Sequence, residues 1–381
     1  MSGEKFEMKK IAAIHFGAGN IGRGLIASVY KKNNIFPIFI DTDKKLIKTM
    51  QEEQKYIISY DDNTNEIIED FLAFDSVKKV NLDFLQDKYE IRLISTSIGT
   101  QNFNNIKNDL LFLVRKLSTK NNINIIAFEN EFRASSKLKN ILNDKESNYI
   151  DALVDRIVPI SNKKNSLNIF TEKYFEIILD KTQKQKCVFL NKDIIWVDKF
   201  DPFLFRKFWI INSTHLLLGY LFKEEASYLF EIIEMSNSKY EEVQNLLDIW
   251  FKGIKIVLKN EFNFSEKEIE DYINKNMKRI FNKKIKDEMK RIRRDPIKKL
   301  KKDERVFSLY FLFKKYSLVD NLEIIIKLIN KMLENFDVED EQSMQIKVDV
   351  EKLGKTKALI SYSSLQEKEV EEILNFKNDT I

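Results

Sequence analysis

Four of the nine glycines in this 381-residue chain fall in the segment IAAIHFGAGNIGRG, where Gly17, Gly19 and Gly22 give a G-x-G-x-x-G and Gly24 follows. The flanks of that pattern indicate its chemistry. The apolar run 11–16 reads as a buried strand, and from Asn20 the pattern turns helical through Ile21, Leu25, Ile26 and Val29. A glycine turn between strand and helix lets the backbone approach a pyrophosphate, with free N–H groups and the positive end of a helix dipole facing it. Taken alone, the spacing also suits a glycine-rich connector. A second apolar strand, 36–40, ends in Asp41, 19 residues after Gly22. That is about where a carboxylate accepts the hydroxyls of an adenosine ribose. Gly17, Ala18, Gly19, Asn20, Ile21, Gly22, Arg23 and Asp41 are therefore read as a dinucleotide site. An acid at position 41 repels a 2′-phosphate, so the expected cofactor is NAD rather than NADP.

A second group lies in FRKFWIINSTHLLLGYL. Lys207, Asn212 and His215 are spaced five and three apart. At about 100° per residue they fall near 0°, 140° and 80° around an α-helix, on one side of an otherwise apolar stretch. Polar groups on such a face are costly to bury without partners. On spacing alone, a lysine reaching out to water and a hydrogen-bonded histidine account for the same pattern. The other histidine, His15, sits in the first strand and is expected to be a buried, hydrogen-bonded structural residue.

The elements that must position these groups follow an α/β plan. Beyond the first two strands come apolar segments at 91–98, 123–128 and 156–160, and 104–118 carries apolar residues at helical spacing. Such alternation predicts a mostly parallel sheet with helices on both faces. Residues 166–181 read as strand then loop and are expected to complete that sheet. From about residue 200 long amphipathic patterns take over, at 203–222, 224–235, 239–259, 266–281 and 322–336. The expected architecture is a Rossmann-type dinucleotide-binding domain over 1–195, followed by a mainly α-helical domain over 196–381 that carries the catalytic group. The net charge of +5 is modest and does not by itself argue for nucleic acid. The longest apolar stretches, such as LLLGYLF at 216–222, are too short to span a bilayer. The first ten residues have no apolar core of the kind a secretion signal needs. The single cysteine, Cys187, allows no internal disulfide and reads as a packing residue in a reducing cytoplasm.

The sequence resembles the polyol-specific long-chain dehydrogenases, whose catalytic signature Lys-x4-Asn-x2-His is matched by Lys207, Asn212 and His215. The resemblance is collinear along nearly the whole chain. HFGAGNIGRG at 15–24 is similar to the family's cofactor turn, and AFENEFRASSKLK at 127–139 to its E-N-x-x-R segment, through Glu129, Asn130 and Arg133. VDRIVP at 154–159, ILDKTQ at 178–183 and RRDPIKKL at 293–300 match further segments in order. The resemblance implies an NAD-dependent oxidoreductase that interconverts D-mannitol 1-phosphate and D-fructose 6-phosphate by hydride transfer. Glu129 joins the cofactor site on the same basis.

Hydride transfer at a sugar carbon needs a base for the hydroxyl proton and donors for the developing alkoxide. Lysine serves as the base when burial and nearby positive charge lower its pKa. Arg206 adjoins Lys207 in sequence, although consecutive helix positions diverge. By resemblance, Lys207 is the general acid/base, Asn130 and Asn212 donate to the reacting oxygen, and His215 and Asp155 hold neighbouring hydroxyls. No metal is required, since one cysteine and two distant histidines do not make a zinc site. The basic run 275–302 holds 14 Lys or Arg against three acids, with Phe281 its one aromatic residue. A solvated helix face accounts for most of it. Arg294, Lys298, Lys299 and Arg305 are candidates for a substrate phosphate, because guanidinium groups pair bidentately with phosphate and lysines add point charge. Lysine at 298 stands where the family pattern leads one to expect arginine.

The expected partner is thus a small sugar phosphate, with no nucleic acid and no membrane. The oligomeric state is open, a monomer included. An alternative within the family is a mannitol 2-dehydrogenase or uronate reductase acting on an unphosphorylated polyol or hexuronate. A remoter one is an NAD-sensing regulatory or nucleic-acid-binding protein that has kept the cofactor fold.

Overall fold

The computed structural model describes residues 9–117, 123–159, 166–184, 189 and 191–376. Cys187, Ile160 and most of the first ten residues lie outside the described residues. The chain divides into two compact units, Met1–Phe203 and Leu204–Ile381. In chain order the strands are β1 (Lys10–Phe16), β2 (Phe36–Ile40), β3 (Lys55–Tyr60), β4 (Asn65–Glu69), β5 (Leu72–Phe74), β6 (Tyr89–Thr96), β7 (Asn124–Ala127), β8 (Asn148–Tyr149), β9 (Ala152–Asp155), β10 (Ile169–Thr171), β11 (Glu176–Asp180) and β12 (Ile194–Val197).

Near-continuous apolar runs suit strands buried on both faces, which is how parallel sheets are built. β5, β2, β1, β6, β7 and β8 form one six-stranded sheet in that order, with every neighbouring pair parallel. Ala12, Ile14 and Phe16 of β1 enter one core, whereas Ala13 enters the other. The helix Phe103–Leu117 buries Phe103, Leu110, Leu113, Val114 and Leu117 on one stripe against the first of these cores. Strand order reverses between β1 and β6, and in open α/β sheets ligands bind outside the carboxyl ends of the strands at such a reversal. The glycine turn follows β1 at that place. The first unit is thus a Rossmann-type domain and the second is helical, as expected from the sequence.

Two expectations are corrected. The strand placed at 156–160 lies earlier, as β9, whose pairing with β11 ends at Asp155 opposite Glu176; the next residue, Arg156, turns its guanidinium inward. That group donates to the carbonyls of Gly24 (2.6 Å), Lys173 (3.1 Å) and Tyr174 (3.1 Å). Residues 166–181 do not complete the main sheet. β10 pairs with β3 in a three-stranded sheet, and β11 lies between β9 and β12 in another.

In the second unit, the helices Asn237–Phe262, Glu266–Ile280 and Val319–Glu334 follow the predicted amphipathic stretches. The stretch 224–235 differs, forming only a short 3-10 turn at Leu229–Glu234. Trp250 and Phe313 anchor the core with ring centroids 5.5 Å apart. The helices Arg305–Lys315, Glu341–Ser363 and Glu367–Leu374 complete the unit. Among the described residues no helix is long and apolar enough to cross a membrane.

Candidate active site

The turn after β1 is built by close backbone approaches. Gly17 has φ +105°, and its N–H donates to the Ile40 carbonyl at 2.8 Å. A Cβ at Gly22 would stand 1.9 Å from the Gly17 oxygen, so only glycine closes the turn there. A Cβ at Gly19, by contrast, would meet nothing within 4 Å. That open approach to the backbone is where a pyrophosphate needs to come near. The helix entered from Asn20 has one π turn, Gly22–Ile26, with Ala27 N–H donating to the Gly22 carbonyl.

Asp41 stands at the same edge. Its carboxylate accepts the Ala18 N–H at 2.7 Å and the Asp43 N–H at 2.9 Å. Asn20 reaches toward the Pro159 carbonyl, and Ile21 is half-buried. The Arg23 side chain turns inward, where Nε donates to the Ala18 carbonyl at 2.7 Å and Nη1 to the Leu167 carbonyl. Burial holds that guanidinium below its usual pKa. The task it performs is to brace the turn. Glu129 is likewise engaged with backbone: it accepts from Thr96 Oγ1 (2.8 Å), Ile98 N–H (2.9 Å) and Gly99 N–H (2.9 Å), clasping the loop after β6. Asn130 follows on an exposed bend, and Asp155 is buried at the end of β9.

His15 lies under the turn with its ring hydrogen-bonded to Ser95 Oγ at 2.7 Å and Ser97 Oγ at 2.9 Å. Tyr30 bonds to the same Ser95 hydroxyl. Burial pushes the imidazole down to about 3, so it stays neutral and structural, as expected from the sequence.

Lys207, Asn212 and His215 belong to one unbroken helical run made of Asp201–Lys207, a π turn Phe208–Asn212, and Ser213–Leu221. Ser213 N–H donates to the Phe208 carbonyl five residues back. The angles calculated for an α-helix therefore need correction. Five residues here make little more than one turn, so Asn212 stands one turn above Lys207 with a smaller offset than about 140°. Lys207 and Asn212 are buried, and His215 is half-buried.

The phosphate candidates separate in the structure. Arg294 is exposed, with Nε donating to the Arg291 carbonyl at 3.3 Å. Pro296 starts the short helix Pro296–Lys299. Lys298 is half-buried and its N–H donates to Gln342 Oε1 at 3.1 Å. The Lys299 ammonium donates to the Ile292 carbonyl at 2.7 Å and also to the Arg294 carbonyl. Burial, reinforced by Arg305, pushes it down to about 7. Two of its donors are therefore engaged in shaping the segment that carries Arg294. Arg305 is buried beside Glu304 (3.1 Å), with its guanidinium 5.5 Å from the Phe208 ring, next in sequence to Lys207. Arg293 Nη1 donates to the Gly219 carbonyl at 3.0 Å, tying the 292–294 segment to the helix that bears His215.

In the first unit, Arg133, which the sequence did not single out for a role, donates to Asp151, Asp180 and Asp201. Those partners are 18, 47 and 68 residues away, and no local spacing announces them.

Comparisons with known proteins agree with this layout. The mannitol dehydrogenase Rossmann domain family matches residues 11–192, and the mannitol dehydrogenase C-terminal domain family matches residues 199–379. The chain is 33% identical to mannitol-1-phosphate 5-dehydrogenase of Mycoplasmopsis pulmonis, over 96% of this chain and 98% of that protein. It is 30% identical to the protein of the same name from Mycoplasma pneumoniae, over 95% and 96%. Among solved structures, Pseudomonas fluorescens mannitol 2-dehydrogenase in ternary complex with NAD and D-mannitol shares the fold, with TM-score 0.69 and 15% identity over 96% of this chain and 88% of that one. D-sorbitol dehydrogenase in substrate-free form does so with TM-score 0.62 and 13% identity, over 96% and 92%. With both of its units matched, each by the corresponding family domain, the chain belongs to the mannitol dehydrogenase family.

Proposed function

We propose that this protein is an NAD-dependent dehydrogenase that interconverts D-mannitol 1-phosphate and D-fructose 6-phosphate, with residues 1–195 holding the cofactor and 196–381 supplying the acid/base. The observation that carries the reading is the near full-length likeness to relatives named for that reaction. The residues of the turn fit a dinucleotide. Gly19 leaves the backbone open, and Asp41 is fixed beside Ala18 with lone pairs remaining for ribose hydroxyls. Arg23, the nearest guanidinium in the turn, is turned inward and is unsuited to a 2′-phosphate, which favours NAD over NADP.

A bound nicotinamide would supply or accept the hydride. In the reductive direction Lys207 Nζ gives its proton to the carbonyl oxygen, and in the oxidative direction it takes the proton from the hydroxyl. Asn130 and Asn212 donate amide N–H groups to the same oxygen and stabilise alkoxide character there. His215 and Asp155 hold neighbouring hydroxyls and select the carbon that reacts. Arg294 is the foremost phosphate contact, with Lys298 and Arg305 as further candidates and Lys299 shaping the segment. Four cations of the basic run are paired with carboxylates, through Lys283–Glu234, Lys290–Glu339, Arg291–Asp287 and Lys302–Glu369. This favours a small anionic substrate over a nucleic-acid track. The single cysteine suits the cytoplasm.

The test is NADH oxidation across fructose 6-phosphate, fructose, other ketose phosphates and hexuronates. Selective turnover of fructose 6-phosphate supports the reading. Preference for fructose or a hexuronate replaces it with the corresponding relative. No turnover together with salt-sensitive DNA binding replaces it with a regulatory protein.

A further inference from the structure

Arg133 has two features that the functional reading leaves without a task. It is a non-glycine residue in the left-handed region, with φ 45° and ψ 50°, at the start of the helix Ala134–Leu142. An L residue stays there only when its surroundings hold it. Its guanidinium faces three carboxylates: Nη1 donates to Asp151 Oδ2 at 3.1 Å and Asp180 Oδ2 at 3.0 Å, and Nε donates to Asp201 Oδ1 at 2.6 Å. The Phe200 ring lies 5.4 Å away.

The three contacts are not equivalent. Asp151 and Asp180 are buried and have other donors. Asp151 accepts from Ser136 N–H, Ser136 Oγ and Gln183 Nε2, and Asp180 accepts from Thr182 N–H. Those two carboxylates hold Arg133 against β9 and β11. Asp201 is different. Its side chain is 42% exposed, and it is the first residue of the helix Asp201–Lys207, which closes on Lys207. Arg133 itself lies three residues after Asn130, in a loop whose other end is clasped through Glu129 to Ile98 and Gly99. The guanidinium therefore links the loop that carries one proposed catalytic group to the starting point of the helix that carries another.

We infer that the Arg133–Asp201 ion pair is a positioning device for the acid/base, fixing the direction in which the helix Asp201–Lys207 leaves its first turn. This rests on the assignment of Lys207 above. From the first residue to the last the helix rises about 9 Å, so a tilt of about 6° at its start moves the far end about 1 Å. Displacements of that size cost about 100-fold in rate when they misplace a reacting group.

The variants are Asp201→Asn, which keeps the side-chain volume and an acceptor at the helix start, Arg133→Lys, and the two combined. With fructose 6-phosphate and NADH, kcat is expected to fall about 10- to 100-fold in each single variant, with KM and the NADH dissociation constant near wild type and, in Asp201→Asn, the melting temperature near wild type as well. The combined variant should be no slower than the worse single one, because both break one interaction. Unchanged turnover in Asp201→Asn, additive losses, or a loss confined to NADH binding would overturn the inference. Should Arg133→Lys fail to fold, Asp201→Asn decides alone, since it leaves the buried Asp151 and Asp180 contacts intact. Lys207→Ala in the same assay separates the two claims. Near-normal activity there sinks the lysine assignment, whereas an inactive Lys207→Ala beside a fully active Asp201→Asn sinks only the ion pair.

Discussion

The Asp41 carboxylate holds the Ala18 amide at 2.7 Å, joining the end of β2 to the glycine turn. That hydrogen bond fixes the orientation of the Asp41 carboxylate at the turn. Asp41→Ala is expected to raise the KM for NADH about 10- to 150-fold, the loss of roughly 1.5–3 kcal/mol of charge-assisted hydrogen bonding. The same change should narrow the preference for NADH over NADPH. Equal use of the two cofactors by the unmodified protein would remove Asp41 from this role.

Lys207→Ala should lower kcat at least about 100-fold, the lower range for a lost acid/base group. NADH binding, followed by fluorescence, should survive, because the turn and Asp41 belong to the first unit.

For the phosphate, Arg294→Ala should raise the KM for fructose 6-phosphate about 10- to 150-fold while changing kcat little. A group remote from the reacting carbon contributes mostly uniform binding. Lys299→Met should behave differently. Its ammonium supports the Ile292 and Arg294 carbonyls, so the melting temperature should drop along with substrate affinity. A KM effect from Lys299→Met with no loss of stability would make it a direct phosphate contact.

His15 predicts a pH dependence of stability. Unfolded, the imidazole takes a proton near 6.5, whereas folded it resists protonation down to about 3. The unfolded chain therefore binds the extra proton, and stability falls as pH drops from about 6.5 toward 3, by up to about 1.4 kcal/mol per pH unit. Urea midpoints measured between pH 8 and pH 4 should fall less steeply in His15→Gln. Parallel curves for the two proteins would contradict the prediction.

The parts of the candidate site that were legible in the sequence are those whose chemistry is local. The glycine turn, Asp41 at its strand end, and the Lys-Asn-His spacing are each contained in a short window, and the apolar runs of β1 and β2 carry their own burial signal. What escaped is long-range. β9, β10 and β11 are three to five residues long and find partners in separate small sheets, which periodicity cannot assign. Arg156 was taken for strand because its segment is apolar, yet its guanidinium reaches carbonyls as far off as Gly24. Lys299 reads from the sequence as a candidate for the substrate phosphate, and only the fold shows two of its donors on backbone carbonyls. The π turn left no mark in the pattern, because apolar residues fill every side of 208–211.

That π turn makes the helix tolerant of deletion in an unusual sense. Removing one residue from Phe208–Asn212 would leave a better α-helix by local measures. Four α residues turn about as far as the five of the π turn, so His215 would keep its side of the helix relative to Lys207. The extra residue is thus absorbed within this one turn, and in a library of single-residue deletions across 205–216 those at the π turn should preserve the register of everything beyond it.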